Sequence, residues 1–423
     1  DYWRDERTSG NTYLWLDRPS SLRWCRPCTI NPDMKTNPLL ELTKLGQSIW
    51  MDYLDRGRIA SGQLQRHIAE DGLRGVTSNP SIFQKAITGG HIYEGPIDDL
   101  ARKGLSVGQI YEAITTRDVQ LAADLFRPLF DSLDGRDGFV SLEVSPHLAN
   151  DTEATIEEAR RLWAAVGRPN AMIKVPATKA GLPAIERLVA EGININVTLL
   201  FGLGRYQEVA EAYLAGLESR AARNQPVRIA SVASFFLSRI DVLVDARLDA
   251  LAGSGRIQRE QADRLRGQVA IACARVAYQM YKEIVGGERF RALASKGARP
   301  QRLLWASTST KNPAFSDVKY VEALIGPDTI NTVPIETFNA YRDHGAPAPR
   351  LEEDLDEARP VLAELRHAGI DLDEVTKRLE EEGVRKFIEP HDRLLETITH
   401  RRDAIRRGTG TPEEASSDVG RSG

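Results

Sequence analysis

Eight short apolar runs, each separated from the next by a stretch with helical periodicity, constrain this chain more than any other feature. They fall at residues 48–53, 75–79, 139–145, 170–177, 193–200, 227–236, 302–307 and 329–334. Most are apolar at successive rather than alternate positions, which is how strands buried on both faces read, and such strands form parallel sheets covered by helices. The helices between them carry apolar stripes, as in Leu182, Ile185, Leu188 and Val189 ahead of Gly192, or Tyr206, Val209, Ala210, Tyr213, Leu214 and Leu217. Thr155 and Glu158 read as a capping-box pair that opens a helix striped by Ile156, Ala159, Leu162, Trp163 and Val166 and closed by Gly167. The expected fold is α/β, a single closed (β/α)8 barrel. A doubly wound open sheet is the alternative, and the lack of a G-x-G-x-x-G after the first run counts against it.

The layout around the barrel follows from the gaps. Residues 81–138 and 237–301 are helical insertions after the second and sixth strands. The catalytic barrel is expected over 34–345, charged helices packed on it or across its mouth over 346–407, and a disordered tail rich in Gly, Ser, Glu and Thr over 408–423. Residues 1–33 scatter Trp, Arg, Pro and Ser without period, so they read as a disordered or non-native extension with Met34 as the natural start. No run approaches the roughly 20 apolar residues that span a bilayer, and a formal net charge of -4 argues against bulk nucleic-acid affinity while leaving room for a basic phosphate pocket. Neither a membrane nor a nucleic-acid partner is expected, the location reads as cytoplasmic, and monomer and homodimer stay open. Cys25 and Cys28 form a C-x-x-C without a second pair, and Cys273 sits in a helical pattern, so no disulfide framework or zinc site is expected.

One charge stands inside the fourth run. Lys174, in Asn-Ala-Met-Ile-Lys-Val-Pro-Ala, is either a strand-end lysine that snorkels to solvent or an amine kept dry for a purpose. Desolvation disfavours the ammonium, and the neutral amine is a nucleophile for carbonyl carbon. Asp52, Asn79, Glu143, Thr198 and Ser234 stand equally late in their runs, at the end of a barrel where loops converge and chemistry gathers. Each alone reads as a satisfied interior polar group. Two acids beside a desolvated amine are what imine chemistry needs, one proton source for losing water from the carbinolamine and one base for a hydroxyl proton.

Val-Thr-Ser-Asn-Pro-Ser-Ile-Phe at 76–83, Met-Ile-Lys-Val-Pro-Ala at 172–177 and Asn-Val-Thr-Leu-Leu-Phe at 196–201 together resemble the transaldolases, of the longer kind with extra helices after the barrel. The resemblance covers roughly 38–340 and, more loosely, the C-terminal helices. It implies that Lys174 forms an imine with the C2 ketone of a donor sugar phosphate and that Asp52 takes the C4 hydroxyl proton as the C3–C4 bond breaks. It implies further that Glu143 and Thr198 hold the water that relays protons, and that Asn79 and Asn196 bind the dihydroxyacetone portion. Ser234 and Arg239 match the family's phosphate-binding pair, although Phe235 and Ser238 stand where many members have proline and glycine. Arg239 also reads simply as a residue at the start of the following helix.

The reaction so implied moves a dihydroxyacetone unit from sedoheptulose 7-phosphate to glyceraldehyde 3-phosphate in the non-oxidative pentose phosphate pathway. It implies no metal and no organic cofactor, because the protonated imine is the electron sink. A Schiff-base aldolase releasing free dihydroxyacetone and a non-catalytic sugar-phosphate-binding barrel are the competing readings. Lys311, in a polar loop after the seventh run, is the rival lysine; its loop setting predicts an ordinary amine suited to phosphate binding or solvation rather than attack.

Overall fold

The computed structural model describes residues 37–407. The expectations for residues 1–33, the start at Met34, the Cys25–Cys28 pair and the tail 408–423 lie outside the described residues. Eight parallel strands close into a barrel in chain order: β1 Gln47–Asp52, β2 Gly75–Thr77, β3 Phe139–Glu143, β4 Ala171–Pro176, β5 Ile195–Leu200, β6 Ser231–Phe236, β7 Arg302–Ala306 and β8 Thr329–Val333. The pairing of Trp50 with Gly75 on one side and with Thr332 on the other shows the closure at β1. Nearly every strand residue is buried, as the unbroken apolar runs require. The open-sheet alternative is thereby excluded.

The end of the barrel where the strands begin is sealed by a polar plug. Asp137 accepts from Ser48 Oγ (2.6 Å) and Trp50 Nε1 (3.0 Å), and Arg302 donates to Ser48 Oγ (2.7 Å) and to the Thr329 carbonyl (2.9 Å). The Trp50 ring fills the space over β2 so closely that a Cβ on Gly75 would lie 2.5 Å from it, which is why a glycine opens that strand.

The insertions are helical, as expected: Pro80–Gly89, Glu94–Arg102 and Val107–Ser132 after β2, and Ser238–Gly253, Arg259–Leu265, Val269–Gly286 and Glu288–Ala294 after β6. Leu355–His367 and the 35-residue helix Leu372–Arg406 follow the barrel. The last helix packs on the three helices inserted after β2 and on the exit of β5, where Gly383 sits against Leu199 and Phe201. No helix among the described residues is long and apolar enough to cross a membrane.

One local expectation fails. The helix Thr152–Val166 is capped by Asp151, whose side chain accepts from the Ala154 amide, and not by Thr155 and Glu158. Glu158 instead accepts from the Ser145 amide (2.8 Å) and Thr155 donates to the Leu148 carbonyl, so both residues fasten the loop after β3. Asp151 outcompetes them because a side chain placed before the first turn reaches an orphan amide without leaving the chain's own path.

Candidate active site

At the end of the barrel where the strands stop, a cavity of about 190 Å³ is lined by Asp52, Thr77, Asn79, Lys174, Thr198, Ser234, Arg239, Lys311 and, from the C-terminal helix, Phe387. Lys174 is the fourth residue of β4 and shares its face with Met172, since strand side chains alternate. It is 4% exposed. Its Nζ donates to the Ser78 carbonyl (2.9 Å), stands 3.4 Å from Glu143 Oε2, and has the Phe387 ring centroid 6.0 Å away. The amine is therefore dry, anchored by one carbonyl and beside one acid. The snorkelling alternative is excluded.

Glu143 is placed by register, since it pairs with Lys174 across β3 and β4. Burial pushes its carboxyl from 4.5 up to about 7, partly countered by the Lys174 ammonium and reinforced by Asp52. Neither carboxylate oxygen makes a hydrogen bond among the described residues, and neither does the buried Thr198 Oγ1. Thr198 owes its position to an irregularity. The β5–β6 register shifts between Val197 and Leu200, and Leu199 takes φ +56°, a left-handed backbone that an apolar side chain adopts only when its surroundings impose it.

Asp52, half-buried at the end of β1, accepts from Thr77 Oγ1 (2.7 Å) and more distantly from Asn79 Nδ2 (3.4 Å to each oxygen). Thr77 in turn touches Thr332 Oγ1 of β8 (3.1 Å). Asn79 lies just past β2, where its Oδ1 caps the helix Pro80–Gly89 by accepting from the Ile82 amide. Asn196 is paired with Lys174 by register and fully buried, but it is absent from the cavity wall. Its Nδ2 donates to Ser141 Oγ (3.0 Å) and its Oδ1 accepts from Ser234 Oγ (2.7 Å). Asn196 thus braces Ser234 from outside the cavity wall, and Glu143 likewise is not among the lining residues.

The cations gather on the opposite rim. Arg239 is the second residue of the helix Ser238–Gly253, as its plainer reading had it, and also lines the cavity. Its Nη1 is buried without a hydrogen bond among the described residues, and burial holds its guanidinium below the ordinary value. Lys311 corrects the sequence expectation. It lines the same cavity, donates to Ser309 Oγ (2.6 Å), and is lowered from 10.5 by burial and by the nearby Arg239 charge. The polar letters around it hid that the loop after β7 folds it toward a second cation. Ser307, at φ +54°, ties this loop to the helix start: its carbonyl accepts from the Ser238 amide and the two hydroxyls lie 3.1 Å apart.

Residues 49–398 match the family described as Transaldolase/Fructose-6-phosphate aldolase. The chain belongs to this family. Among curated proteins it is 48% identical over 370 residues to the "Transaldolase" of Trichodesmium erythraeum (strain IMS101), an alignment covering 86% of this chain and 97% of that one. It is 50% identical over 359 residues to the "Transaldolase" of Thiobacillus denitrificans (strain ATCC 25259 / T1), covering 85% and 98%. "Transaldolase 1" of Streptomyces avermitilis is likewise 50% identical over 362 residues, covering 85% and 94%.

Within this transaldolase-family barrel the sequence singled out Asp52, Asn79, Lys174, Thr198, Ser234 and Arg239 of the cavity wall, misjudged Lys311, and missed Thr77, Thr332 and Phe387. Thr77 sits two residues before Asn79 in the same motif, and its alternation with Asn79 was the available signal. Thr332 had a similar one, a polar residue late in an apolar run. Phe387 had none, because its helix reads like any amphipathic helix and only packing brings it over Lys174.

Proposed function

We propose that the chain transfers a dihydroxyacetone unit from sedoheptulose 7-phosphate to glyceraldehyde 3-phosphate through an imine on Lys174, yielding erythrose 4-phosphate and fructose 6-phosphate. The observation that carries this reading is a buried lysine that stands 3.4 Å from the Glu143 carboxyl, which burial raises to about 7, and that lines one cavity with Asp52 and with two cations that form no ion pair among the described residues. The neutral amine attacks the C2 carbonyl, and the resulting carbinolamine loses water with a proton delivered from the side of Glu143. Glu143 titrates near 7 and so can give or take that proton at physiological pH, and the unpaired oxygens of Glu143 and Thr198 are suited to hold a relaying water. Asp52, oriented by Thr77, then takes the C4 hydroxyl proton. The C3–C4 electron pair flows into the iminium, an enamine remains on Lys174, and the shortened aldose leaves. Attack of the enamine on the acceptor aldehyde and hydrolysis of the imine return the free lysine.

Arg239 and Lys311 supply the phosphate end. Two like charges brought together at a cost in desolvation gain most from a dianion, and the arginine fork suits a phosphate's geometry. The proposal includes a place in the non-oxidative pentose phosphate pathway and a cytoplasmic location.

Borohydride reduction in the presence of fructose 6-phosphate is expected to leave a covalent three-carbon adduct on Lys174, found by peptide mass spectrometry, and Lys174→Ala to abolish both adduct and turnover. Labelling at another residue, or a Lys174→Ala enzyme of unchanged rate, overturns the mechanism. The family description also names an aldolase, so release of free dihydroxyacetone is the second reading. Incubating fructose 6-phosphate without an acceptor separates them: the transferase consumes little donor, the aldolase continues.

A further inference from the structure

Away from the cavity, the loop after β3 and the C-terminal helix bring together side chains that the transferase reaction does not use. His147 stands in the short turn Pro146–Leu148, four residues beyond Glu143; His391 and Asp392 are consecutive on the helix Leu372–Arg406. One ligand atom from each of the three lies within 4.8 Å of the others. His147 Nε2 is 2.6 Å from Asp392 Oδ1, and His391 Nδ1 is 3.5 Å from the same oxygen. His391 is 5% exposed, and its Nδ1 is buried without a hydrogen bond among the described residues although it faces the carboxylate. Its ring is held edge-on by Tyr111 (5.2 Å between centroids) and His147 (5.6 Å), so the nitrogen is aimed rather than free to turn.

We propose that His147, His391 and Asp392 form a site for a divalent transition-metal ion, zinc by preference, that fastens the C-terminal helix to the loop after β3. Two imidazoles and one carboxylate are a nitrogen-rich borderline set that favours zinc and its neighbours over magnesium or calcium, which seek oxygen. Ligand atoms about 2.0–2.1 Å from a tetrahedral zinc are spaced roughly 3.3 Å apart, so the ion takes the place of the proton shared by His147 and Asp392, that pair parting by less than about 1 Å while ligand atoms that now lie within 4.8 Å of one another draw together around it. The displaced proton goes to solvent, and water completes the fourth position. A His147–Asp392 ion pair alone would account for two of the three residues. It leaves a buried, oriented imidazole nitrogen 3.5 Å from the carboxylate and without a hydrogen bond among the described residues, and such a group is costly unless something occupies it. The consequence is positional. Phe387, one helical turn before His391, closes the cavity over Lys174, so a tie at His391 holds that closure in place.

The test uses the full-length, untagged chain with Cys25→Ser and Cys28→Ser, so that thiols do not contribute, stripped with chelator and titrated with Zn2+ by calorimetry. One ion per chain is expected to bind saturably. His147→Ala and, separately, Asp392→Asn, both at exposed positions that leave the core intact, are expected to weaken it by more than about 100-fold, beyond what loss of an outer-shell partner costs. Co2+ should give d–d absorption that both variants lose. Absence of uptake, or uptake unaltered in both variants, overturns the proposal.

Discussion

Glu143 is held away from its ordinary range because burial penalises its charge more than the adjacent Lys174 compensates, and that has a sign in stability. Folded, the carboxyl keeps its proton up to about 7; unfolded, it releases it near 4.5. Between those values the folded state binds more protons, so the contribution of Glu143 to stability declines as pH rises through the window and is lowest above it. Measured by urea unfolding, the stability of wild type relative to Glu143→Gln should fall by on the order of 2–3 kcal/mol from about pH 4.5 to about pH 7 and then level off. A difference that stays flat over that range would mean the carboxyl titrates normally. Arg239 lines the cavity with its Nη1 buried and without a hydrogen bond among the described residues. Its unpaired guanidinium should be worth one charge-assisted phosphate contact, so Arg239→Ala should raise KM for fructose 6-phosphate by roughly 10–100-fold. The same variant should act on unphosphorylated fructose much as wild type does, and equal losses on both donors would place Arg239 outside phosphate binding.

Among elements, the C-terminal helix decides how closed the cavity is. Its Gly383 permits close approach to Leu199, the residue strained to aim Thr198, and its Phe387 caps Lys174. The enamine survives to meet an acceptor only while water is kept away. Phe387→Ala is therefore expected to raise the ratio of free dihydroxyacetone to transfer product, assayed with fructose 6-phosphate with and without glyceraldehyde 3-phosphate. Truncating a phenylalanine that is 5% exposed should also cost about 3–5 kcal/mol in unfolding free energy. An unchanged product ratio in a folded variant would remove the helix from this role.

Across the whole molecule the barrel separates work from support. The plug of Ser48, Trp50, Asp137 and Arg302 lies at the opposite end of the strands from Lys174. Asp137→Ala would leave Trp50 Nε1 and Ser48 Oγ without their acceptor, so it should lower stability by about 1–3 kcal/mol for each group left unsatisfied. The value of kcat should be unchanged, since the strand starts of such barrels carry stability and the strand ends carry catalysis. A matching loss of kcat, measured well below the melting temperature, would show that the two ends are coupled.

The eight strands could be read along the chain because a strand buried on both faces leaves an uninterrupted apolar run, and Lys174 because one charge in such a run has few reasons to be there. Asp52, Glu143 and Thr198 were visible for the same reason. The strand ends were less so: the runs at 75–79 and 139–145 overshoot Thr77 and Glu143, where the chain turns to place Asn79 as a cap and Ser145 against Glu158. Lys311 was misjudged because its immediate neighbours are polar, whereas its shift comes from partial burial at the cavity and from the charge of Arg239, a residue far away along the chain. Phe387 and the meeting of His147 with His391 had no local signature, whereas Asp151, a preferred capping residue just before the helix, did. Hydrophobic period and chain order settle which segments become strands and helices; which distant side chains share a cavity depends on closing the sheet and folding the last helix back, and no neighbouring residue records that.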